Sequence, residues 1–195
     1  MEISVVISTF SRERLNYVLS CIESLKNQTF SPKEIILVLD PDETLLEFYK
    51  SRLPSDVKVA ISEDYGLSCA RNTGVKNSDA DIIAFIDDDA FADANWLRNM
   101  VKNYDDPRVV GVGGFVKPVW EHSRPVWFPE ELDWIVGCSY KGLPQKKATV
   151  RNPIGCNMSF RRTVFQKIGF FRNDIGRVGN KLTAHEDTEL GIRIA

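Results

Sequence analysis

The run Asp81-Ile82-Ile83-Ala84-Phe85-Ile86-Asp87-Asp88-Asp89 constrains this chain more than any other stretch. Its apolar centre is too short for a helix and is bounded by charge, the pattern of a buried central strand in a parallel sheet. The strand ends in three adjacent carboxylates, and like charges in a row are costly unless something positive sits among them. Ligands bind at the carboxyl ends of strands in open parallel sheets, so a hard cation is one candidate for that partner. The plainer reading is a solvated acidic turn that caps the next helix.

The rest of the chain alternates strand and helix patterns. Residues 3–9 are rich in β-branched side chains and predict a first buried strand. It ends in the polar turn Ser8-Thr9-Phe10-Ser11-Arg12, whose hydroxyls can bond a ligand or cap the helix after it. Leu15, Val18, Leu19, Ile22 and Leu25 recur at helical spacing and predict a helix ending near Gln28. Residues 34–39 predict a second strand that runs into Asp40-Pro41-Asp42, and residues 57–61 a third, with a short helix between them. This alternation predicts a mainly parallel α/β sheet of the nucleotide-binding kind, flanked by helices. The segment Gly66-Leu67-Ser68-Cys69-Ala70-Arg71-Asn72-Thr73-Gly74 opens the helix that leads to the central strand. Glycine gives the entry turn, Ser68 can cap, and Arg71 can offer its fork to a carboxylate or a phosphate. A structural ion pair with the Asp cluster and direct ligand contact both stand open for Arg71.

Beyond the triplet, Trp96, Leu97, Met100, Val101 and Tyr104 form a helical core face, and residues 109–112 and 115–120 predict two strands around Gly113-Gly114. From 121 to 151 periodicity is lost. Trp127, Trp134 and several prolines suggest an excursion over the sheet edge, either a lid or acceptor platform or an insertion with ordinary buried aromatics. Residues 155–161 predict a strand, followed by a short helix that Gly169 terminates. Arg172, Arg177 and Lys181 lie in a glycine-containing loop that could close over a diphosphate or be a disordered surface loop. His185-Glu186-Asp187-Thr188-Glu189 reads as an acidic helix start, which the helix dipole favours whatever the function.

Composition narrows the classes. A chain of 195 residues, 43% hydrophobic and 27% charged, fits one globular domain. A net charge of −2 gives no electrostatic case for nucleic acid as a partner. Cys21, Cys69, Cys138 and Cys156 lack metal-ligand spacing, and with no signal-like start they are expected as reduced thiols in the cytoplasm. No apolar run approaches the ~20 residues of a membrane span.

Several segments together carry a resemblance: Val5-Val6-Ile7-Ser8-Thr9-Phe10, Asp40, Gly66 to Gly74, Phe85-Ile86-Asp87-Asp88-Asp89, Gly155-Cys156-Asn157-Met158-Ser159-Phe160-Arg161-Arg162 and Glu186-Asp187. In this order, over nearly the whole chain, they resemble glycosyltransferase family 2 with its GT-A fold. The resemblance implies a single GT-A domain over 1–195, with a donor-nucleotide half at 1–120 and an acceptor half at 121–195. A helix that begins near Thr188 and stops at Ala195 adds the expectation of C-terminal truncation. The implied activity is inverting transfer of a sugar from a UDP- or GDP-sugar to a glycan or polyprenyl-linked acceptor.

By the same resemblance Ser8, Thr9 and Asp40 would hold the nucleobase, Asp87 and Asp88 would lie by the ribose and metal, and Arg71 joins the donor-binding set. Asp89, with Asp87, would ligate Mg²⁺ or Mn²⁺, and Asp187 would be the general base with Glu186 as its fallback. The domain is expected in the cytoplasm or at the cytoplasmic face of the membrane, any attachment coming from a C-terminal region. Leu39 and Pro41 depart from the family pattern beside Asp40 and leave uridine and guanosine donors both open, while Ser8 and Ser11 depart in the first turn, where backbone groups are expected to make much of the contact. A sugar-1-phosphate nucleotidyltransferase would want a glycine-rich loop after the first strand, which residues 8–12 do not supply. A non-catalytic nucleotide-sugar or glycan-binding module stays as the alternative.

Overall fold

Both faces of the central sheet are covered, which is why its strands read as unbroken apolar runs rather than alternating ones. The computed structural model describes residues 1–178 and 183–195. Strands β1 (Ile3–Thr9), β2 (Glu34–Leu39), β3 (Val57–Ile61) and β4 (Ile82–Asp87) are parallel, each at the bounds the sequence predicts or within a residue of them. Helices α1 (Leu15–Lys26), α2 (Glu43–Lys50) and α3 (Leu67–Asn77) connect them. After α4 (Trp96–Val101) come β5 (Gly111–Gly113) and, beyond the excursion, β6 (Met158–Arg161). The chain ends with α5 (Arg162–Ile168) and α6 (Glu186–Ile194).

The sheet order is β3-β2-β1-β4-β6-β5, with β6 antiparallel to both neighbours. Successive side chains of a strand point to opposite faces, and each face has its own core. Ile3, Val5, Ile7, Leu37, Leu39, Ala84 and Ile86 pack with Val18, Ile22 and Leu25 of α1, Tyr49 of α2 and Leu97 of α4. Val6, Ile36, Val38, Ile83 and Phe85 pack with Ala70 and Val75 of α3, Phe165 of α5 and Leu190 of α6.

Two expected elements differ. Residues 115–120 form no strand: the chain leaves the sheet after Gly114, and Phe115 and Val119 are left exposed without a partner strand to cover them. Residues 155–157 are a turn into β6 rather than its first residues, because β4 and β5 offer pairing partners only from Met158 onward.

Candidate active site

From β1 the sheet grows one way through β2 and β3 and the other way through β4, so β1 and β4 flank the point where it changes direction. Open α/β sheets bind ligands in the crevice beyond the strand ends at that point. Register sets Ser8 opposite Asp87 and Thr9 opposite Leu39, which brings Ser8, Thr9, Asp40 and the triplet to one edge. Thr9 Oγ1 is buried and has no hydrogen-bond partner among the described residues. The nearby Tyr49 hydroxyl donates instead to the Ser11 carbonyl at 2.8 Å. Asp40 is half-buried; burial pushes its carboxyl up, the Gly66 N–H at 3.4 Å pulls it back and Asp64 pushes it up again, with a net rise. Ser68 does not cap α3: its Oγ donates to the Ile175 carbonyl at 2.7 Å, and Gly66, at φ +108°, makes the entry turn.

The three carboxylates of the triplet meet three environments. Asp88 is 7% exposed, and both its oxygens are held by Arg14, whose Nε donates to Oδ2 at 2.5 Å and Nη2 to Oδ1 at 2.6 Å. The same Nη2 donates to Asp89 Oδ2 at 2.7 Å, while the Asp89 side chain stays 55% exposed. Asp87, 45% exposed, faces Arg71 Nη2 at 3.7 Å. Desolvation pushes the Asp87 carboxyl up, Arg71 opposes it, and Asp89, Asp88 and Glu186 add to the rise. Arg14 arrives here through a short turn, Arg12–Arg14, which Ser11 caps by accepting the Glu13 N–H at 3.2 Å. Its guanidinium lies 5.6 Å from the ring centre of Phe10 and 5.8 Å from that of Tyr17.

Arg71 ties this edge to the C-terminal helix. Its Nη1 donates to Glu186 Oε1 at 2.6 Å and its Nη2 to the Gly155 carbonyl at 3.2 Å, with the two side chains 4% and 7% exposed. The ion pair expected with the Asp cluster is made chiefly with Glu186 instead, Asp87 being the distant partner. His185, at φ +84°, is a non-glycine residue in the left-handed region, a conformation that costs ~1–3 kcal/mol and recurs at functional sites. It turns the chain so that Glu186 meets Arg71. Asp187 Oδ1 accepts the Thr188 N–H at 2.7 Å, and its Oδ2 lies 3.5 Å from the point where a side chain on residue 155 would begin. Arg71 Nη2 is 3.1 Å from the same point, so glycine at 155 leaves room for both groups to converge.

The excursion is held by bonds within itself and by one from the turn before β6. The Ser139 N–H donates to the Val116 carbonyl at 2.9 Å, Asn157 Nδ2 holds the Phe115 carbonyl at 3.1 Å, and Arg124 forks onto Asp133 at 2.7 and 2.8 Å. A helical turn at Glu130–Val136 leaves Trp134 exposed, and Trp127 is 79% exposed, so neither is an ordinary buried aromatic. Arg172 pairs with Asp174 rather than reaching the edge. Lys181, the third basic residue expected in that loop, lies outside the described residues.

Arg14 thus pairs, among the described residues, with Asp88 and Asp89, and Arg71 with Glu186 and, more distantly, Asp87, with Asp187 close by. Among the described residues no three acid, His or Cys side chains converge as a ready-made cation cage. Mg²⁺-type ions at phosphate sites commonly take one or two protein carboxylates and draw other ligands from substrate and water. Two half-exposed carboxylates, Asp87 and Asp89, match that donor set.

The sequence profile described as Glycosyl transferase family 2 matches residues 4–169. The chain belongs to glycosyltransferase family 2. Over 198 aligned residues it is 35% identical to the glucosyl-dolichyl phosphate glucuronosyltransferase of Haloferax volcanii, taking in 100% of this chain and 63% of that one. A mannosyltransferase from Pyrobaculum calidifontis in complex with GDP-Man and Mn²⁺ superposes with a TM-score of 0.69 at 17% identity, covering 100% of this chain and 52% of that one. S. aureus TarS in complex with UDP-GlcNAc gives 0.64 at 20% identity, covering 100% and 53%. These likenesses show a shared GT-A fold. This family 2 chain therefore spans less than two thirds of the Haloferax relative and about half of the two solved chains.

Sequence reasoning missed Arg14 in this family 2 site. The available signal was position: an arginine in the first turn after β1, next to a strand ending in three acids, sits where an uncompensated charge needs a partner.

Proposed function

We propose that this family 2 domain is an inverting glycosyltransferase that moves a sugar from a UDP- or GDP-sugar to a hydroxyl of a glycan or polyprenyl-phosphate-linked acceptor. The observation that carries the reading is the convergence at Arg71, which holds Glu186 at 2.6 Å and faces Asp87 at 3.7 Å, so that acids of α6 and of the β4 edge share one crevice. The Haloferax relative, named for a dolichyl phosphate substrate, supports the acceptor class. The GDP-Man and UDP-GlcNAc complexes of the two structural neighbours support the donor class.

In this reading Ser8, Thr9 and Asp40 receive the nucleobase, the orphaned Thr9 hydroxyl gaining a partner there. Asp87 lies by the ribose, and Asp89 with Asp87 holds Mg²⁺ or Mn²⁺, which when bound neutralises the charge growing on the departing diphosphate. Asp88 acts through Arg14, because both its oxygens are already held. Glu186 is engaged by Arg71, which leaves Asp187 as the base. Its Oδ2 takes the proton of the acceptor hydroxyl as that oxygen bonds to the anomeric carbon and the bond to the diphosphate breaks. One base suffices, unlike the two carboxylates of a glycoside hydrolase. No helix among the described residues is long and apolar enough to cross a membrane. In this reading the domain meets its polyprenyl-linked acceptor at the cytoplasmic face of the membrane.

Calorimetric titration of UDP and of GDP, each with and without Mn²⁺, tests the reading. Binding of one nucleotide that is lost on removing the metal and in Asp89→Ala supports it and selects the donor class. Equal affinity in Asp89→Ala overturns the metal assignment, and binding of neither nucleotide overturns the transferase reading.

A further inference from the structure

The acidic edge carries its own cation, and its grip on the two acids it touches is unequal. Arg14 holds Asp88 through two charge-assisted bonds, at 2.5 and 2.6 Å, in a place where that carboxylate is 7% exposed. Separating a bidentate pair whose carboxylate is buried leaves that charge uncompensated away from water, so this half of the contact is the stronger one. Arg14 holds Asp89 through one bond, at 2.7 Å, and that carboxylate is 55% exposed. Exposed pairs of this kind exchange their partners cheaply. The rings of Phe10 and Tyr17, 5.6 and 5.8 Å from the guanidinium, support Arg14 whether or not Asp89 is attached.

We propose that Arg14 is a resident counter-ion of the donor site, anchored on Asp88, which covers Asp89 in the resting protein and which a divalent cation must displace from Asp89 in order to bind. The inference rests on the assignment of Asp89 to the cation. It makes Arg14 a positioning residue: it sets the concentration of metal at which the site fills and keeps Asp89 from standing as a bare charge beside Asp88 until then. It also explains why the three acids are not equivalent, since Asp89 alone has a counter-charge that is both close and easily exchanged.

Two variants shift metal affinity in opposite directions, which a merely structural role for Arg14 would not do. Asp88→Asn removes the anchor's charge and leaves Arg14 to Asp89, so Mn²⁺ alone, followed by electron paramagnetic resonance, is expected to bind several-fold more weakly than to the wild-type chain. The double variant Arg14→Met with Asp88→Asn removes both members of the buried pair without stranding either, frees Asp89, and is expected to bind Mn²⁺ about tenfold more tightly. Circular dichroism melting checks that each variant is folded, and Asp89→Asn is expected to abolish the uptake in either background. Equal Mn²⁺ affinity in the wild-type chain and the double variant overturns the role of Arg14 while leaving the metal assignment intact. Absence of Mn²⁺ uptake by every form overturns the assignment of Asp89 and this inference with it.

Discussion

Glu186 and Asp187 are neighbours in sequence with separate work. Glu186 is buried against Arg71, whereas Asp187 keeps one oxygen beyond its bond to Thr188. Glu186→Gln is expected to lower stability by about 1–3 kcal/mol, because a buried charge-assisted bond becomes a neutral one. Asp187→Asn is expected to change stability by less than about 0.5 kcal/mol, yet to slow transfer by about 10²–10⁴-fold with nucleotide affinity unchanged. Urea denaturation and turnover, measured on both variants, separate the two. Thr9 offers a second split. Its hydroxyl has no partner among the described residues, so Thr9→Val leaves stability unchanged or raises it, while nucleotide affinity, read by calorimetry, falls by about 0.5–1.5 kcal/mol. The family resemblance, more than residue type, singled out the acids and Arg71, because carboxylates at strand ends and helix starts also serve as caps and dipole partners. The partner of Arg71 was not legible, since Glu186 lies 115 residues away and the link exists only once α6 docks. Arg14 was hidden for the same reason, 74 residues from Asp88.

Among elements, β1, β2 and β4 were legible almost to the residue because both faces are covered and their central positions are apolar or small. The same composition misled at residues 115–120, where aromatic and branched residues look strand-like but no strand lies alongside to pair with them. The helix α3 must lie close on β1 to carry Arg71 to the crevice, and Gly74 permits it: an added methyl would come within 2.3 Å of Val6 Cγ1. Gly74→Ala is expected to destabilise by about 1–3 kcal/mol in chemical denaturation, the cost of overpacking. At the opposite end of the sheet, Glu34 ties β2 to its neighbours, accepting from Ser4 Oγ at 2.6 Å and pairing with Lys58. Burial alone would raise its carboxyl, but Lys58, Ser4 and the Asp79 N–H outweigh burial and hold it below the usual 4.5. A carboxyl lowered on folding stabilises the protein above the unfolded value and loses that contribution as pH falls through the folded one. Stability is therefore expected to drop below pH 4.5 in part through Glu34, and Glu34→Gln to flatten that part of the acid limb in denaturation curves taken across pH.

For the molecule as a whole, the sheet supplies a rigid edge and the C-terminal segments complete it, so the crevice is built from parts made far apart along the chain. The residues proposed for the nucleotide lie before position 90, and the proposed base arrives only with α6. One buried guanidinium on α3, with Glu186 and the Gly155 carbonyl as its acceptors, joins the two. That joint sets a rule for exchanging parts between related enzymes. A chimera that keeps residues 1–120 and borrows the remainder is expected to bring in a new acceptor preference, and it inherits a guanidinium that pairs with an acid at the start of the last helix and lies against a glycine at position 155. Borrowed halves that supply both are expected to transfer sugar to their own acceptors. Halves that lack the acid are expected to bind nucleotide and remain inert, so a single pairing rule decides which of these domains can trade halves.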